Sequence, residues 1–256
     1  MLICAGLDPS GGAGILADAR VVSELGGRPV GVVTALTVQN TTAVLETEAM
    51  SPDLIREQLE FLLSDVEVKA AKIGMIGSSE IAKAIASALA LTSAPVVWDP
   101  IIHPSRGDVR FIDSLFGHAV KALVPHVALL TPNAGELAFM TGTAIASVSD
   151  AVLVGERLAD RLRTSVLVKG GHVLEQDTIA ESIDVLCHDG KIEILRGPRT
   201  PGGEHVHGTG CALSSAIATH LAHGAELVEA CRAAKAYVAS RIAAPVRPGR
   251  GAAAVV

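Results

Sequence analysis

The sequence predicts an α/β fold in which a central, mostly parallel sheet carries helices on both faces. Short β-branched runs alternate along the chain with stretches whose apolar residues recur at helical spacing. Aromatic residues are only 2% of the chain although 49% of it is hydrophobic, so Val, Ile, Leu and Ala must build the core, as in helix-covered parallel sheets. We expect one domain over residues 1–256, a length that can bury a sizeable core.

The helices are predicted from apolar spacing and from their start and stop signals. The first helix follows a Gly-rich turn and stops at Gly26 and Gly27. The second starts at Ser51-Pro52-Asp53, which supplies an N-cap, a proline at the first helical position and an acid. The predicted helices cover residues 15–25, 52–64, 80–91, 149–162, 211–222 and 226–243.

The strands are predicted from short β-rich runs that end in turn residues. They cover residues 2–5, 30–38, 43–48, 68–76, 96–99, 127–130, 166–168, 183–187 and 192–195. Asp189-Gly190 lies between the last two runs and is a hairpin signal. The tail, residues 245–256, is rich in Gly, Ala and Pro, so we expect it to fray.

Composition argues against several classes of function. The formal net charge is −6 and basic residues do not cluster in long runs, which argues against nucleic-acid binding. No apolar run approaches the roughly 18 residues of a membrane span, and the N-terminus lacks a basic leader, so we expect a cytoplasmic protein without a membrane partner. The cysteines, Cys4, Cys187, Cys211 and Cys231, form no C-x-x-C pair, which argues against a metal cluster or a disulfide framework.

Polar and Gly-rich segments follow most of the predicted strands. These segments are residues 6–14, 37–40, 74–77, 99–107, 131–136, 169–172 and 207–211. Ligands of open parallel sheets bind beyond the carboxyl ends of the strands. Because these segments should meet at one edge of the sheet, they predict a single cleft and therefore an enzyme.

The segment His207-Gly208-Thr209-Gly210-Cys211 opens a predicted helix. Glycines let successive backbone N–H groups point at one spot, and the helix dipole adds positive potential there, so the segment is suited to bind a phosphoryl group. The alternative is an ordinary Gly-rich turn before a helix. A thiol in the first turn, such as that of Cys211, is expected to have a lowered pKa and could act as a base, or it could simply pack.

The segment HGTGCALSSAIATHLAHG resembles the signature of hydroxymethylpyrimidine phosphate kinases, in which Cys stands where the wider ribokinase-like group usually has a catalytic Asp. Further matches follow in the family's order: AGLDPSGGAGILAD, VTALTVQNT, KIGMIG, LLTPNAGEL and LVKGGH. The resemblance covers residue 3 to about residue 224. It implies a ribokinase-like fold, the cofactors ATP and Mg²⁺, a pyrimidine substrate from thiamin biosynthesis, and a homodimer.

The resemblance also implies which residues handle the phosphates. Asn133 and Glu136 would organise magnesium and the ATP phosphates, although their spacing also fits a helix capping box. Asp99, at a strand end, is a further candidate metal carboxylate or a turn cap. Lys169 would reach a nucleotide phosphate, and its alternative is a solvated strand-end lysine. Gly208, Thr209, Gly210 and Cys211 would form the catalytic anion site.

Four positions align with family residues that line the pyrimidine pocket: Gly6, Asp18, Gln39 and Met75. Gln39 can present a donor and an acceptor to the edge of an aminopyrimidine ring. Asp18 could accept a hydrogen bond from the ring's amino group, and Met75 could pack on the ring face. Gly6 permits close backbone approach. Each also has an ordinary structural interpretation, as a helical acid, a loop residue or a core residue.

Two departures and three alternatives accompany the resemblance. The family's Lys-Ser-Gly-like stretch is replaced by residues 103–107, where Arg106 could supply the cation, and residues 198–206 could form a flap over the nucleotide. The pattern GAGILA at residues 12–17 resembles a dinucleotide fingerprint, but the acid expected after the second strand is missing, which argues against a nicotinamide enzyme. A pyridoxal kinase and a non-catalytic protein that binds a thiamin precursor stay open.

Overall fold

A computed structural model describes residues 1–102, 116–170 and 181–256. Its strands are β1 (Leu2–Leu7), β2 (Val30–Gln39), β3 (Val44–Ala49), β4 (Ala71–Ile73), β5 (Val96–Trp98), β6 (Leu129–Leu130), β7 (Ser165–Val168), β8 (Glu181–His188) and β9 (Lys191–Pro198). Its α-helices are α1 (Gly14–Glu24), α2 (Pro52–Asp65), α3 (Ser79–Leu89), α4 (Phe116–Leu123), α5 (Ala134–Thr141), α6 (Val148–Leu162), α7 (Thr209–Ala222) and α8 (Leu227–Ala243). Short 3₁₀ helices lie at Val124–His126 and Gly203–His205.

The nine strands of the described residues form one sheet in the order β3-β2-β1-β4-β5-β6-β7-β8-β9. The six central strands, β2, β1, β4, β5, β6 and β7, are parallel to one another. At one edge β3 pairs antiparallel with β2, and at the other edge the β8–β9 hairpin pairs antiparallel with β7. The predicted α/β, mostly parallel architecture is therefore confirmed. Asp189 and Gly190 both have positive φ, as the predicted hairpin turn requires.

Side chains that alternate along the central strands build two cores. Trp98 and Leu130 contact the layer that contains α2, α3, α4 and α6, whereas Val97 and Leu129 contact the layer of α1, α7 and α8. This alternation follows from the period of two in a strand, and it requires apolar residues on both faces. Full burial of each such aliphatic side chain contributes roughly 1.5–3 kcal/mol, so the two layers fix the strand ends from which the site is built.

Helix α7 is buried around most of its circumference, in contrast to the amphipathic helices at the surface. Its residues from Cys211 to Thr219 are all buried, and several of them are Ala or Ser, which lets α1, α8 and the sheet approach closely. The N-terminus of α7 opens at the carboxyl edge of the sheet, where the cavity described below lies. The fold thus holds the predicted anion-binding segment on a rigid element.

The structure corrects the prediction that the tail frays. Ala252 to Val256 are buried, and Val246 and Ala254 each donate a backbone hydrogen bond to the other, at 2.9 and 2.8 Å. The His207 N–H donates to the Ala253 carbonyl, and the Val255 N–H donates to the His207 carbonyl. The tail is ordered because neighbouring backbone satisfies its polar groups and its last two valines enter the α7–α8 core.

Two further differences concern single elements. Helix α4 was not predicted from the sequence, and the run at residues 68–76 forms a ladder over Ala71–Ile73 only. In the part of the chain that the structure describes, the helices fall short of the length and hydrophobicity that a bilayer span requires.

Candidate active site

A cavity of about 860 Å³ opens beyond the carboxyl ends of the parallel strands. It collects the segments that follow β1, β2, β4, β5, β6 and β7 together with the start of α7. All the expected site residues except Asp18 line it: Gly6, Gln39, Met75, Asp99, Asn133, Glu136, Lys169, Gly208, Thr209, Gly210 and Cys211.

The start of α7 has the geometry of an anion site. Gly208 caps the helix with φ of 82°, and a Cβ on it would lie 2.0 Å from the Gly12 carbonyl oxygen, so only glycine fits there. Ala212 donates the first intrahelical bond, to the Gly208 carbonyl at 2.9 Å. The amides that precede Ala212 lie in the first turn, where a helix has no acceptors of its own, and they line the cavity at the positive end of the dipole.

Lys169 lies beside this helix start. A Cβ on Gly210 would be 3.2 Å from the Lys169 Nζ and 3.6 Å from an Asp99 carboxylate oxygen. The Lys169 Nζ itself lies 2.6 Å from Asp99 Oδ1 and 3.6 Å from Glu136 Oε2. One ammonium, two carboxylates and the α7 amides therefore meet in a single part of the cavity.

The capping box and the cavity share the same acid. Asn133 Oδ1 accepts a hydrogen bond from the Glu136 N–H at 2.9 Å, and Glu136 Oε2 accepts from the Asn133 N–H at 2.6 Å. The capping interpretation of this pair is therefore confirmed. Burial raises the pKa of Glu136 to about 7, and the nearby Asp99 adds to the rise although Lys169 opposes it. Burial acts to lower the pKa of Lys169, but Asp99 and Glu136 outweigh burial and raise it.

The donor set fits a magnesium ion that is bound together with phosphate. Among the described residues, no group of three or more His, Cys, Asp or Glu side chains converges on one point. Mg²⁺ needs no such group, since one or two carboxylates plus substrate phosphates and water complete its coordination. Among the described residues, Asp99 and Glu136 place two carboxylates beside the ammonium of Lys169, and ionisation of both leaves a negative charge that a divalent cation would offset.

The cavity is also lined by the expected pyrimidine residues Gly6, Gln39 and Met75. A Cβ on Gly6 would lie 2.2 Å from Met75 Cε, so the methionine packs directly on the glycine backbone. Gln39 stands at the end of β2, and its side chain reaches His207 and Thr37. Gly6, Gln39 and Met75 thus form one wall, with a flat apolar part and an amide that can hydrogen-bond.

Asp18 lies elsewhere than the resemblance implied. Its side chain is fully buried, with Oδ2 2.6 Å from Lys72 Nζ, and its Oδ1 accepts a hydrogen bond from Ser215 at 2.8 Å. Because α1 turns this residue toward α7 rather than into the cavity, Asp18 does not line the wall. Its partner Lys72 does, so the pair forms the floor beneath the ligand space.

The pKa of the Cys211 thiol also differs from the sequence prediction, which was that it would be lowered. Its side chain lines the cavity but is only 8% exposed. Burial raises its pKa to about 11; Lys72 opposes the rise, whereas Asp18 and Asp99 add to it. The helix terminus was expected to lower this pKa, but desolvation in the closed floor is the larger effect. The thiol is therefore protonated at neutral pH.

Several polar residues of the site had no role in the sequence predictions. Lys235, from α8, lines the cavity near β9, and its Nζ lies 2.7 Å from Asp184 Oδ2. Lys72 and Asp8 occur inside the quoted motifs, yet their partners are distant in sequence. A charged residue within an otherwise apolar strand is the signal that could have found Lys72, whereas the helix of Lys235 carries other charged residues and offers no such signal.

The two departures from the family pattern, Arg106 and the expected flap at residues 198–206, have different outcomes. Arg106 lies outside the described residues, as do the last residues of the LVKGGH motif. The segment expected to be a flap lies at the cavity, where Arg199, Thr200 and the 3₁₀ helix Gly203–His205 contribute to the lining.

The site combines the amides of a buried helix start with one lysine and two carboxylates, at the carboxyl edge of a mostly parallel sheet. These groups meet the electrostatic needs of phosphoryl transfer. The fold and the site therefore place the chain in the class of ribokinase-like phosphotransferases. The family model described as phosphomethylpyrimidine kinase matches residues 8–256. The chain belongs to the phosphomethylpyrimidine kinase family.

Relatives and solved structures agree with this assignment. A Rhizobium meliloti hydroxymethylpyrimidine/phosphomethylpyrimidine kinase is 40% identical, over 98% of this chain and 94% of its own length. The crystal structure of a Clostridium difficile phosphomethylpyrimidine kinase has a TM-score of 0.79 and 34% identity, over 94% of this chain and 98% of its own. A Staphylococcus aureus pyridoxal kinase in complex with ADP has a TM-score of 0.88 and 28% identity, over 100% of this chain and 92% of its own.

Proposed function

We propose that the protein transfers the terminal phosphoryl group of ATP to 4-amino-5-hydroxymethyl-2-methylpyrimidine, to its monophosphate, or to both, in thiamin biosynthesis. The observation that carries the proposal is the meeting of the α7 amides with Lys169 in a cavity that Gly6, Gln39 and Met75 also line. A phosphate-binding end and a ring-binding end in one cavity suit a kinase of a small heterocycle.

At the phosphate end, the chain's own groups position and neutralise the transferring group. The amides of Gly208 to Cys211 would bind its oxygens, and Lys169 would contact a nucleotide phosphate. Mg²⁺, held by Asp99 and Glu136 together with the phosphates, would neutralise charge on the donor. In the transfer, a bond forms between the acceptor oxygen and the γ-phosphorus while the bond from that phosphorus to the β–γ bridging oxygen breaks, and ADP leaves.

At the acceptor end, the two substrates differ in their need for a base. A hydroxymethyl group must lose its proton, whereas a monophosphate is already ionised at neutral pH. The Cys211 thiol, with its pKa raised to about 11, is a poor base in the free protein. The site therefore suits the phosphate acceptor best, and the hydroxyl proton of the other acceptor would leave through Cys211 only after ligand binding lowers that pKa.

A pyridoxal kinase is the second candidate. The S. aureus pyridoxal kinase has the higher TM-score of the two solved structures, although its sequence identity is lower. Overall backbone similarity reports the shared fold, whereas acceptor choice depends on a few side chains of the pocket. We therefore rank the pyrimidine first, on the basis of the Gln39 wall.

We further propose that the protein is a cytoplasmic homodimer, as the resemblance implies. The edge strand β3 and its neighbour β2 expose Leu36, Val38 and Leu45, the last at 75% of its surface. Apolar side chains on an edge strand favour pairing with a second copy. Light scattering on the purified protein would measure the mass directly, and a monomer at micromolar concentration would contradict the proposal.

A coupled assay of ADP release tests the function. The purified protein is given Mg²⁺ and ATP with hydroxymethylpyrimidine, its monophosphate or pyridoxal as acceptor. We expect the highest kcat/KM with a pyrimidine acceptor. A preference for pyridoxal would favour the second candidate, and binding of the pyrimidine without ADP release would indicate a non-catalytic protein.

A further inference from the structure

Three polar side chains meet where the wall of the cavity joins the anion site: Asp8, Gln39 and His207. The His207 Nε2 lies 3.1 Å from Asp8 Oδ2 and 3.3 Å from the Gln39 side-chain nitrogen. The other end of the Gln39 amide lies 3.2 Å from Thr37 Oγ1. His207 directly precedes the Gly208 cap, so this cluster joins the ring-binding wall to the phosphate-binding loop.

Asp8 determines which ring nitrogen of His207 carries a hydrogen. The carboxylate is 4% exposed and accepts from the Ser10 N–H, the Ser10 hydroxyl and the Ala13 N–H. Burial opposes ionisation of Asp8, but the hydrogen bonds from His207 and Ser10 outweigh burial and lower its pKa. An ionised carboxylate only accepts, so the facing Nε2 of His207 must bear a hydrogen.

That hydrogen in turn determines the orientation of the Gln39 amide. An N–H of His207 cannot face the NH₂ of Gln39, because both are donors. Thr37 has a single hydroxyl hydrogen, which it donates to the Leu7 carbonyl at 2.9 Å, so its oxygen is free to accept from Gln39. Interchanging the amide oxygen and nitrogen removes the conflict: the single Nε2 hydrogen of His207 is then shared between Asp8 and the Gln39 oxygen, and the Gln39 nitrogen donates to Thr37.

The backbone keeps His207 in this position. The His207 N–H donates to the Ala253 carbonyl, and the His207 carbonyl accepts from the Val255 N–H. A Cβ on Gly12 would lie 2.8 Å from the imidazole ring. With one lone pair and one N–H already engaged, the Gln39 amide has one acceptor and one donor left for a ligand. Their order along the amide is set by His207 and Thr37.

We propose that His207, oriented by Asp8, is a positioning residue that fixes the Gln39 amide and thereby selects an acceptor ring with an amino group next to a ring nitrogen. Such an edge offers a donor beside an acceptor and so complements the remaining groups of Gln39. The proposal deepens the proposed function and rests on it, since it takes the aminopyrimidine as the ligand of Gln39.

A double-mutant cycle tests whether His207 acts through Gln39. The variants are His207→Ala, Gln39→Ala and the double variant, each assayed for KM of the pyrimidine, KM of ATP and kcat. We expect His207→Ala to raise the pyrimidine KM about 5- to 10-fold, as loss of a hydrogen bond does, with less than a twofold change in the ATP KM. On the Gln39→Ala background the same substitution should change the pyrimidine KM less than twofold.

Equal effects on both backgrounds, or a loss confined to kcat, would overturn the proposal, because His207 would then act on the phosphate loop. His188→Ala is a matched control, since that histidine ends β8 outside the cavity lining and should leave all three parameters unchanged. Asp8→Asn keeps the shape of the site and should reproduce part of the His207→Ala effect.

A nitrogen-15 NMR measurement of the His207 ring reads the hydrogen-bond assignment without any substrate. We expect Nε2 to be the protonated nitrogen at pH 8, and a bare Nε2 would overturn the assignment. Absence of turnover with every pyrimidine would refute the proposed function and the ring selection with it, whereas the NMR result would still decide how His207 holds Gln39.

Discussion

Lys72 and Lys169 both line the cavity, yet they form ion pairs of different composition. Lys72 Nζ lies 2.6 Å from Asp18 Oδ2, both side chains are fully buried, and Ser215 donates to the other Asp18 oxygen. Lys169 Nζ lies between Asp99 and Glu136, and 12% of its side chain is exposed. Counted over the residues that the structure describes, the first group has one acid for one base, whereas the second has two acids for one base.

This difference separates a structural pair from a functional one. A balanced, fully buried pair costs desolvation and is kept in place by its geometry and its extra hydrogen bond. An unbalanced group that opens to the cavity carries a charge that its own residues do not offset. Because Lys72 and Asp18 are fully buried whereas Lys169 is partly exposed in the cavity, we expect the Lys72 pair to govern stability and the Lys169 group to govern activity.

The largest expected effect comes from breaking the balanced pair. In Lys72→Met, Asp18 is left as an uncompensated buried carboxylate, which costs about 3–5 kcal/mol of unfolding free energy. For a chain of this size the melting temperature should fall by about 10 °C. Calorimetry measures it, with Lys83→Met, an exposed helix-surface lysine, as the control that should keep the parent Tm. A Tm within about 2 °C of the parent would contradict the structural role, and adding Asp18→Asn should recover part of the loss.

Lys169→Met should reduce activity more than stability, in contrast to Lys72→Met. Loss of a cation aimed at the transferring phosphate should lower kcat by about 10²–10³-fold, as removal of one preorganised charge or donor does. Stability should fall less than in Lys72→Met, because Asp99 and Glu136 face the open cavity and can share a proton. Steady-state kinetics and calorimetry on both variants test the comparison, and a smaller kcat effect than that of Lys72→Met would reverse it.

Glu136→Gln sharpens the comparison through pH. The pKa of Glu136 is raised to about 7 in the folded protein against 4.5 in the unfolded chain, so the folded state holds a proton more readily. Its contribution to stability is present below about pH 4.5 and is lost as the pH rises through 7, by up to about 1.4 kcal/mol per unit. The glutamine variant keeps the capping acceptor but lacks this slope.

Urea unfolding between pH 5 and 8 without Mg²⁺ measures that slope in the parent and the variant. At pH 8 we expect Glu136→Gln to be about 1 kcal/mol more stable than the parent yet less active, which is typical of a charge kept for function. Identical pH slopes in the two proteins would show that the carboxylate is already ionised at low pH.

Much of the site could be predicted because its residues belong to local motifs. Asn133 and Glu136 form a capping box within four residues, and Gly208 caps the helix that follows it, so both patterns are visible in the sequence. Asp18 could not be placed in the same way. Its partner comes from β4, and only the strand order β2-β1-β4 shows that Lys72 lies beneath α1 and α7. The ordered tail escaped prediction for the same reason, since its partners include His207 and Thr41, which are distant in sequence.

The smallest effect is expected at Cys211, whose thiol lies near both lysines and is influenced by Lys72 most directly. With a pKa of about 11, roughly one thiol in 10³ is ionised at pH 8, so alkylation by iodoacetamide should be slow and should quicken about tenfold per pH unit up to pH 10. Cys211→Ala should change turnover of the monophosphate less than about twofold and should slow phosphorylation of the hydroxymethyl group more than that, because only that acceptor releases a proton. Equal losses with both acceptors would exclude a role of Cys211 as a base. Fast alkylation at pH 7 would mean that the nearby lysines lower the pKa of the thiol by more than burial raises it.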